Sequence, residues 1–126
     1  MWTFSRSNLM TATQSRNSQL EACIEACLKC LQDCEFCATA CLNSDMVQMM
    51  AACIKSCRDC ADLCALCSRF MARNSDLHIQ MCAVCADACN RCATECAKHD
   101  HEHCRRCAES CRRCAESCHQ MSMAMA

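Results

Sequence analysis

Cysteine is the residue type in this chain whose number and spacing most clearly point to chemistry. Four blocks hold all twenty-one of them. The first is Cys23, Cys27, Cys30, Cys34, Cys37 and Cys41; the second is Cys53, Cys57, Cys60, Cys64 and Cys67. The third is Cys82, Cys85, Cys89, Cys92 and Cys96, and the fourth is Cys104, Cys107, Cys111, Cys114 and Cys118. Inside every block the gap alternates strictly between three and four. Thiolates are soft ligands that select Cu(I), Zn(II) or iron–sulfur clusters. A smaller set of thioether and imidazole donors lies between blocks: Met46, Met50, His99, His101 and His103.

The elements that must carry these ligands follow from the same spacing. Alternating gaps of three and four are the a/d rhythm of a helical heptad, which places every sulfur of a block on one stripe. A strand would scatter them over both faces. The fourth block repeats CRRCAES at 104–110 and 111–117, so its period is seven by identity as well. Opposite charges four apart (Glu25 and Lys29, Lys55 and Asp59, Arg58 and Asp62, Asp87 and Arg91, Glu109 and Arg113) suit outward helical faces. Ser18-Gln-Leu-Glu21 has the form of a capping box opening the first helix.

The breaks carry Asn43-Ser-Asp45, Asn74-Ser-Asp76 and His99-Asp100-His101. Asn, Ser and Asp are cap and turn residues, and here they replace glycine. Links this short force neighbouring helices antiparallel. The expected fold is all-α: an antiparallel up-down-up-down four-helix bundle with a cysteine-lined core. Residues 1–17 form an N-terminal arm or short helix, 18–120 the bundle, and 121–126 a Met-rich tail. Met121-Ser-Met-Ala-Met125 fits a thioether copper motif and a frayed tail equally well.

Composition removes most other functions. The 126 residues make one domain, and one residue in six is cysteine, about twice the level that signals a cysteine-defined scaffold. Without glycine there is no Gly-rich phosphate loop and no dinucleotide fingerprint. Four aromatics (Trp2, Phe4, Phe36, Phe70) are too few for a base-stacking surface. Thirteen basic and fourteen acidic residues leave a net charge of −1, giving no case for nucleic acid or an anionic membrane. Arg105-Arg106 and Arg112-Arg113 interleave with Glu109 and Glu116 as a solvated ion-pair face. No catalytic carboxylate pair or Ser/His/Asp set stands out, so no enzyme is expected. The amino terminus lacks an export signal, and no run of about 18 apolar residues occurs. A cytoplasmic address is expected, where cysteines stay reduced and serve metals or catalysis.

Space filling does not account for so many core cysteines, because each Leu replaced by Cys gives up transfer energy and packing. Charge separates the metals. A core of bare thiolates is prohibitively costly to bury. One monovalent ion per bridging thiolate leaves the column near neutral, whereas each zinc on four separate thiolates carries −2. Two metal–sulfur bonds of roughly 2.3 Å each also span the gap between side chains three or four apart on one helix. Four-coordination would need sulfurs converging from several directions.

The CxxxC/CxxC ladders resemble the bacterial four-helix copper storage proteins, and specifically their cytosolic subgroup, over about residues 18–120. The resemblance implies multiple Cu(I) ions per chain, all twenty-one cysteines as candidate ligands, and a homotetramer. The ferredoxin run C-x₂-C-x₂-C-x₃-C-P is absent, and no cysteine precedes proline. A zinc or cadmium thiolate buffer is the second reading and an iron–sulfur electron-transfer protein the third.

Antiparallel topology brings Met46, Met50, His99, His101 and His103 to one end, beside Cys41, Cys53, Cys96 and Cys104. These neutral donors make that end the expected metal entry. Family members similarly place Met or His there. The opposite end offers Leu20, Met71, His78, His119 and Met121 as a rival entrance. Ile24, Leu31, Ile54, Leu63 and Val84 are expected to widen the sulfur stripes into packing faces, so that the bundle folds before metal arrives. Leu28, Phe36, Leu42 and Leu66 fall on the outer face, where they suggest a partner surface.

Overall fold

The computed structural model describes the backbone of residues 2–124 and the side chains of 18–123. It holds four helices, α1 (Trp2–Leu42), α2 (Ala51–Ala72), α3 (His78–Cys96) and α4 (Glu102–Ala124), and no strand among the described residues. Each packs on two neighbours: α1 and α3 both lie against α2 and α4. The result is a closed four-helix square, an antiparallel up-down-up-down bundle. At about 1.5 Å per residue, the 19 residues of α3 span roughly 28 Å, of which the sulfur stripe from Cys82 to Cys96 takes roughly 21 Å.

Two boundaries differ from the sequence reading, one of them because α4 runs on to Ala124, into the expected 121–126 tail. Ser18 is not an N-cap, because α1 begins at Trp2 and runs through it. No glycine or proline interrupts residues 2–17, so the helix continues outward and Ser18 has no free first-turn amides to serve.

Short polar links close the bundle without glycine. Asn74 has φ 51°, the single positive value among the described residues. Around it the Asn74 amide donates to the Met71 carbonyl (3.0 Å) and the Ser75 amide to that of Phe70 (2.9 Å). This is a Schellman stop, with asparagine taking the left-handed position that glycine usually fills. Ser75 Oγ then accepts the Leu77 amide at 3.1 Å as α3 begins. After α1, Ser44 Oγ donates to the Cys41 carbonyl (2.8 Å) and accepts the Met46 amide (3.2 Å).

Packing between helices uses small residues that the heptad reading overlooked. Ala38, Ala61, Ala86, Ala93, Ala108 and Ala115 are buried, and each directly follows a cysteine. A methyl beside each sulfur stripe lets the helix axes approach closely enough for sulfurs to meet. Ile24, Leu31, Ile54 and Leu63 flank this core, half-buried. Val84 does not: it is exposed on the outer surface of α3. Asp33 of α1 accepts a hydrogen bond from Ser110 of α4, tying those two helices together. On the outer faces Asp87–Arg91 (3.0 Å) and Glu109–Arg113 (2.5 Å) pair as the spacing suggests. Lys29 pairs forward with Asp33 (3.2 Å) rather than back with Glu25.

Candidate metal centre

All twenty-one cysteines are unpaired thiols with no solvent exposure. Twenty of them have at least one other sulfur within 4.0 Å, and Cys41 stands at the end of its block. The shortest approaches run between helices: Cys60–Cys89 at 3.4 Å, Cys53–Cys96, Cys67–Cys82 and Cys114–Cys27 at 3.5 Å. Neighbours along one helix stand farther apart, as Cys30–Cys34 (3.9 Å) and Cys85–Cys89 (4.0 Å) do.

Pairs along one helix stay within reach of a single two-coordinate ion, and the structure adds contacts across the bundle that spacing along one helix does not reveal. Sulfurs converge from several walls of the bundle at once. Cys30, Cys60, Cys64 and Cys89 lie within 4.8 Å of one another, as do Cys34, Cys57, Cys92 and Cys107. Such quartets would admit a four-coordinate ion by distance alone. They are not separate sites, however. Cys30 and Cys60 belong also to a quartet with Cys34 and Cys111, and Cys57 to one with Cys37, Cys53 and Cys96. Shared corners suit thiolates that bridge successive ions. Filling isolated quartets with zinc would leave −2 at each, and the helix charges that might offset it sit on the outer faces.

Protonation follows from the same enclosure. Burial pushes the Cys41 thiol up to about 11 and Cys104 up to about 12. Deeper in, the Cys107 thiol beside Cys34 and Cys96, the Cys114 thiol beside Cys64 and Cys118, and then burial all push upward. The thiols so raised are neutral at physiological pH, and a protonated thiol packs as a small apolar group. An entering cation must displace a proton.

At the mouth formed by the α1–α2 and α3–α4 links, the predicted entry residues separate into distinct roles. Met50 is buried beside Cys53, while Met46 is 46 % exposed in the link. His103, in the first turn of α4, places Nδ1 3.4 Å from Cys37 Sγ and 3.5 Å from Cys104 Sγ. Burial, then the charge of His101, hold His103 below the ordinary imidazole range, so it stays neutral with a lone pair to offer. The exposed His101 ring stacks on it at 5.4 Å. His99 is not brought to the sulfurs by hydrogen bonding: its Nε2 meets Glu95 Oε2 at 3.1 Å, which keeps that carboxyl below its usual range.

A bundle whose walls are cysteine from end to end is a soft-metal container, and the comparisons with known proteins identify the kind. The chain matches the copper storage protein family model over residues 16–123, and it belongs to that family. It is 47 % identical over 90 residues to the uncharacterized cysteine-rich protein YhjQ of Bacillus subtilis strain 168, covering 71 % of this chain and 83 % of that one. The Cu(I)-bound copper storage protein BsCsp3 is 46 % identical, with a TM-score of 0.80 over 82 % of this chain and 98 % of its own. A cytosolic copper storage protein from Streptomyces lividans, holding five coppers, is 38 % identical with a TM-score of 0.81, covering 84 % and 93 %.

The thiol pKa values set a pH dependence. Unfolded cysteines ionise near about 8.5, while the folded Cys41 and Cys104 wait until about 11 and about 12. Raised folded values mean that the stability is fully present below about pH 8.5 and is lost as pH climbs through the folded values. Circular dichroism of the reduced, metal-free protein should therefore show a helical fold whose melting temperature is flat to about pH 8 and then falls. A random-coil spectrum before metal, or a melting temperature constant to pH 11, would contradict this account.

Proposed function

We propose that this chain stores Cu(I) in the cytosol, on the order of twenty ions per chain, about one for each thiolate. The observation that carries the reading is the unbroken column of buried sulfurs whose quartets share corners. Each Cu(I) that enters replaces one thiol proton, so the core keeps its charge however full it becomes. The Cu(I)-bound BsCsp3 and the copper-loaded Streptomyces lividans protein, both close in fold and sequence, support the choice of metal. The family is one of storage proteins.

The ligands in this reading are all twenty-one core cysteines. Copper enters at the mouth lined by Met46, Met50, His99, His101 and His103. Exposed Met46 and His101 meet the ion first; buried Met50, and His103, which touches Cys37 and Cys104, pass it inward. Thioether and neutral imidazole hold Cu(I) more weakly than thiolate does, which favours transfer over retention. Leu28, Phe36 and Leu42 of α1 and Leu66 of α2 are exposed apolar residues that suit self-association, and family resemblance makes the assembly a homotetramer.

Three measurements test these statements. Titration of the reduced protein with Cu(I) against a competing chelator should saturate near one ion per cysteine, with roughly one proton released for each. Saturation at four to seven ions would instead mark discrete tetrahedral sites and return zinc or cadmium to the front. Changing Met46, Met50, His99 and His103 to Leu or Ala should slow loading several-fold, and His103→Ala alone should produce the largest share. Loading as fast as the parent's would mean that this mouth is not the entrance. Sedimentation at micromolar concentration should find an oligomer; a monomer would remove the assembly.

A further inference from the structure

The opposite end of the column is built differently. There the four stripes run out in Cys23, Cys67, Cys82 and Cys118, with Cys67–Cys82 sulfurs 3.5 Å apart and Cys23–Cys118 3.7 Å apart. One helical turn beyond them, on the same faces, stand Leu20, Met71, His78 and Met121. Three of these four carry soft or borderline metal donors. All three are sealed: Met71 is 2 % exposed, His78 4 % and Met121 6 %, against 46 % for Met46 at the mouth.

The ring of His78 is held in one tautomer. Its Nδ1 lies 2.8 Å from the Ser75 carbonyl, which can only accept, so Nδ1 carries the proton and Nε2 keeps its lone pair. Among the described residues no hydrogen bond reaches Nε2. An imidazole fixed through one nitrogen by a backbone carbonyl, with the other left basic, is how proteins orient a histidine for a metal. His78 precedes Cys82 by four residues on α3, and Met71 follows Cys67 by four on α2. Each donor therefore shares a helix stripe with one sulfur of the Cys67–Cys82 pair, one turn beyond it.

Charge explains why neutral donors belong there. A chain of two-coordinate Cu(I) ions bridged by thiolates and ended by thiolates holds one sulfur more than it holds metal. One sulfur must then keep its proton, or the dry core carries −1. Ending the chain on an imidazole or a thioether makes the two counts equal.

We propose that Met71 and His78, with Cys67 and Cys82, form a closed terminal site for one Cu(I) ion. The site rests on Cu(I) being the stored metal. It is a cap on the column: all its donors are buried, whereas the mouth also has exposed Met46 and His101. The same chemistry accepts Ag(I), a soft monovalent probe that does not oxidise in air.

The test reads the histidine directly. The parent protein, labelled with ¹⁵N, is compared metal-free and saturated with Cu(I) and with Ag(I). The His78 Nε2 resonance should shift on saturation, while exposed His119 at the same end should stay where it was. The double variant His78→Phe, Met71→Leu, which keeps the end apolar and filled, should bind about one ion fewer than the parent. An Nε2 resonance unmoved at saturation overturns the site, whatever the variant does, and needs no variant to fold. That result with about twenty ions bound leaves storage standing. Saturation at four to seven ions would instead remove storage, so the two failures are distinguishable.

Discussion

A cavity sealed from water cannot accumulate charge, and this constraint shapes the rest of the molecule. Every cysteine of the column has zero exposure, and an isolated ion moved into such surroundings loses hydration worth many kcal/mol. The thiols therefore stay protonated while the column is empty, and whatever replaces a proton must bring a single positive charge. Cu(I) meets that condition and a divalent metal does not. The same condition explains why the ionic residues are confined to the outer faces, where Asp87–Arg91 and Glu109–Arg113 pair in solvent. None is needed as a counter-charge inside.

Neutrality of the empty state has a structural consequence. A core of protonated thiols is a core of small apolar groups, so the bundle does not depend on metal to hold its helices together. It gives up some of the burial that leucine would supply. Closeness compensates in part: six buried alanines, each following a cysteine, bring the walls together until sulfurs of different helices touch at 3.4–4.0 Å. Regular helices then hold the ligands at fixed positions, and little rearrangement is required when an ion bridges two of them.

The two ends divide the remaining work. At the link end, donors of graded exposure lead from solvent to the first thiols, and His103 touches Cys37 and Cys104 while His101 stacks outside it. At the far end the corresponding residues are buried, and the left-handed Asn74 turn closes the α2–α3 corner tightly.

The stripe, the helix count, the antiparallel order and the preference for a soft metal were all legible in the sequence, because each depends on local periodicity or on side-chain chemistry. A gap of three or four residues puts two sulfurs on one face in any helix. Other features were not legible. Ser18 looked like a cap until α1 proved to extend past it, since capping depends on where a helix starts rather than on the motif. Val84 looked like a packing residue and is exposed, since the width of a buried face depends on how the neighbours are rotated. His99 and His103 were equivalent as letters, yet one meets Glu95 and the other meets two thiols. Most of all, the sequence placed sulfurs in rows along each helix, and only the tertiary structure decided that their nearest partners lie across the bundle. Spacing along a helix is set by the backbone's own hydrogen bonds, whereas spacing between helices is set by axial offset, rotation and the small residues at the seam, and those exist only once the four helices have packed.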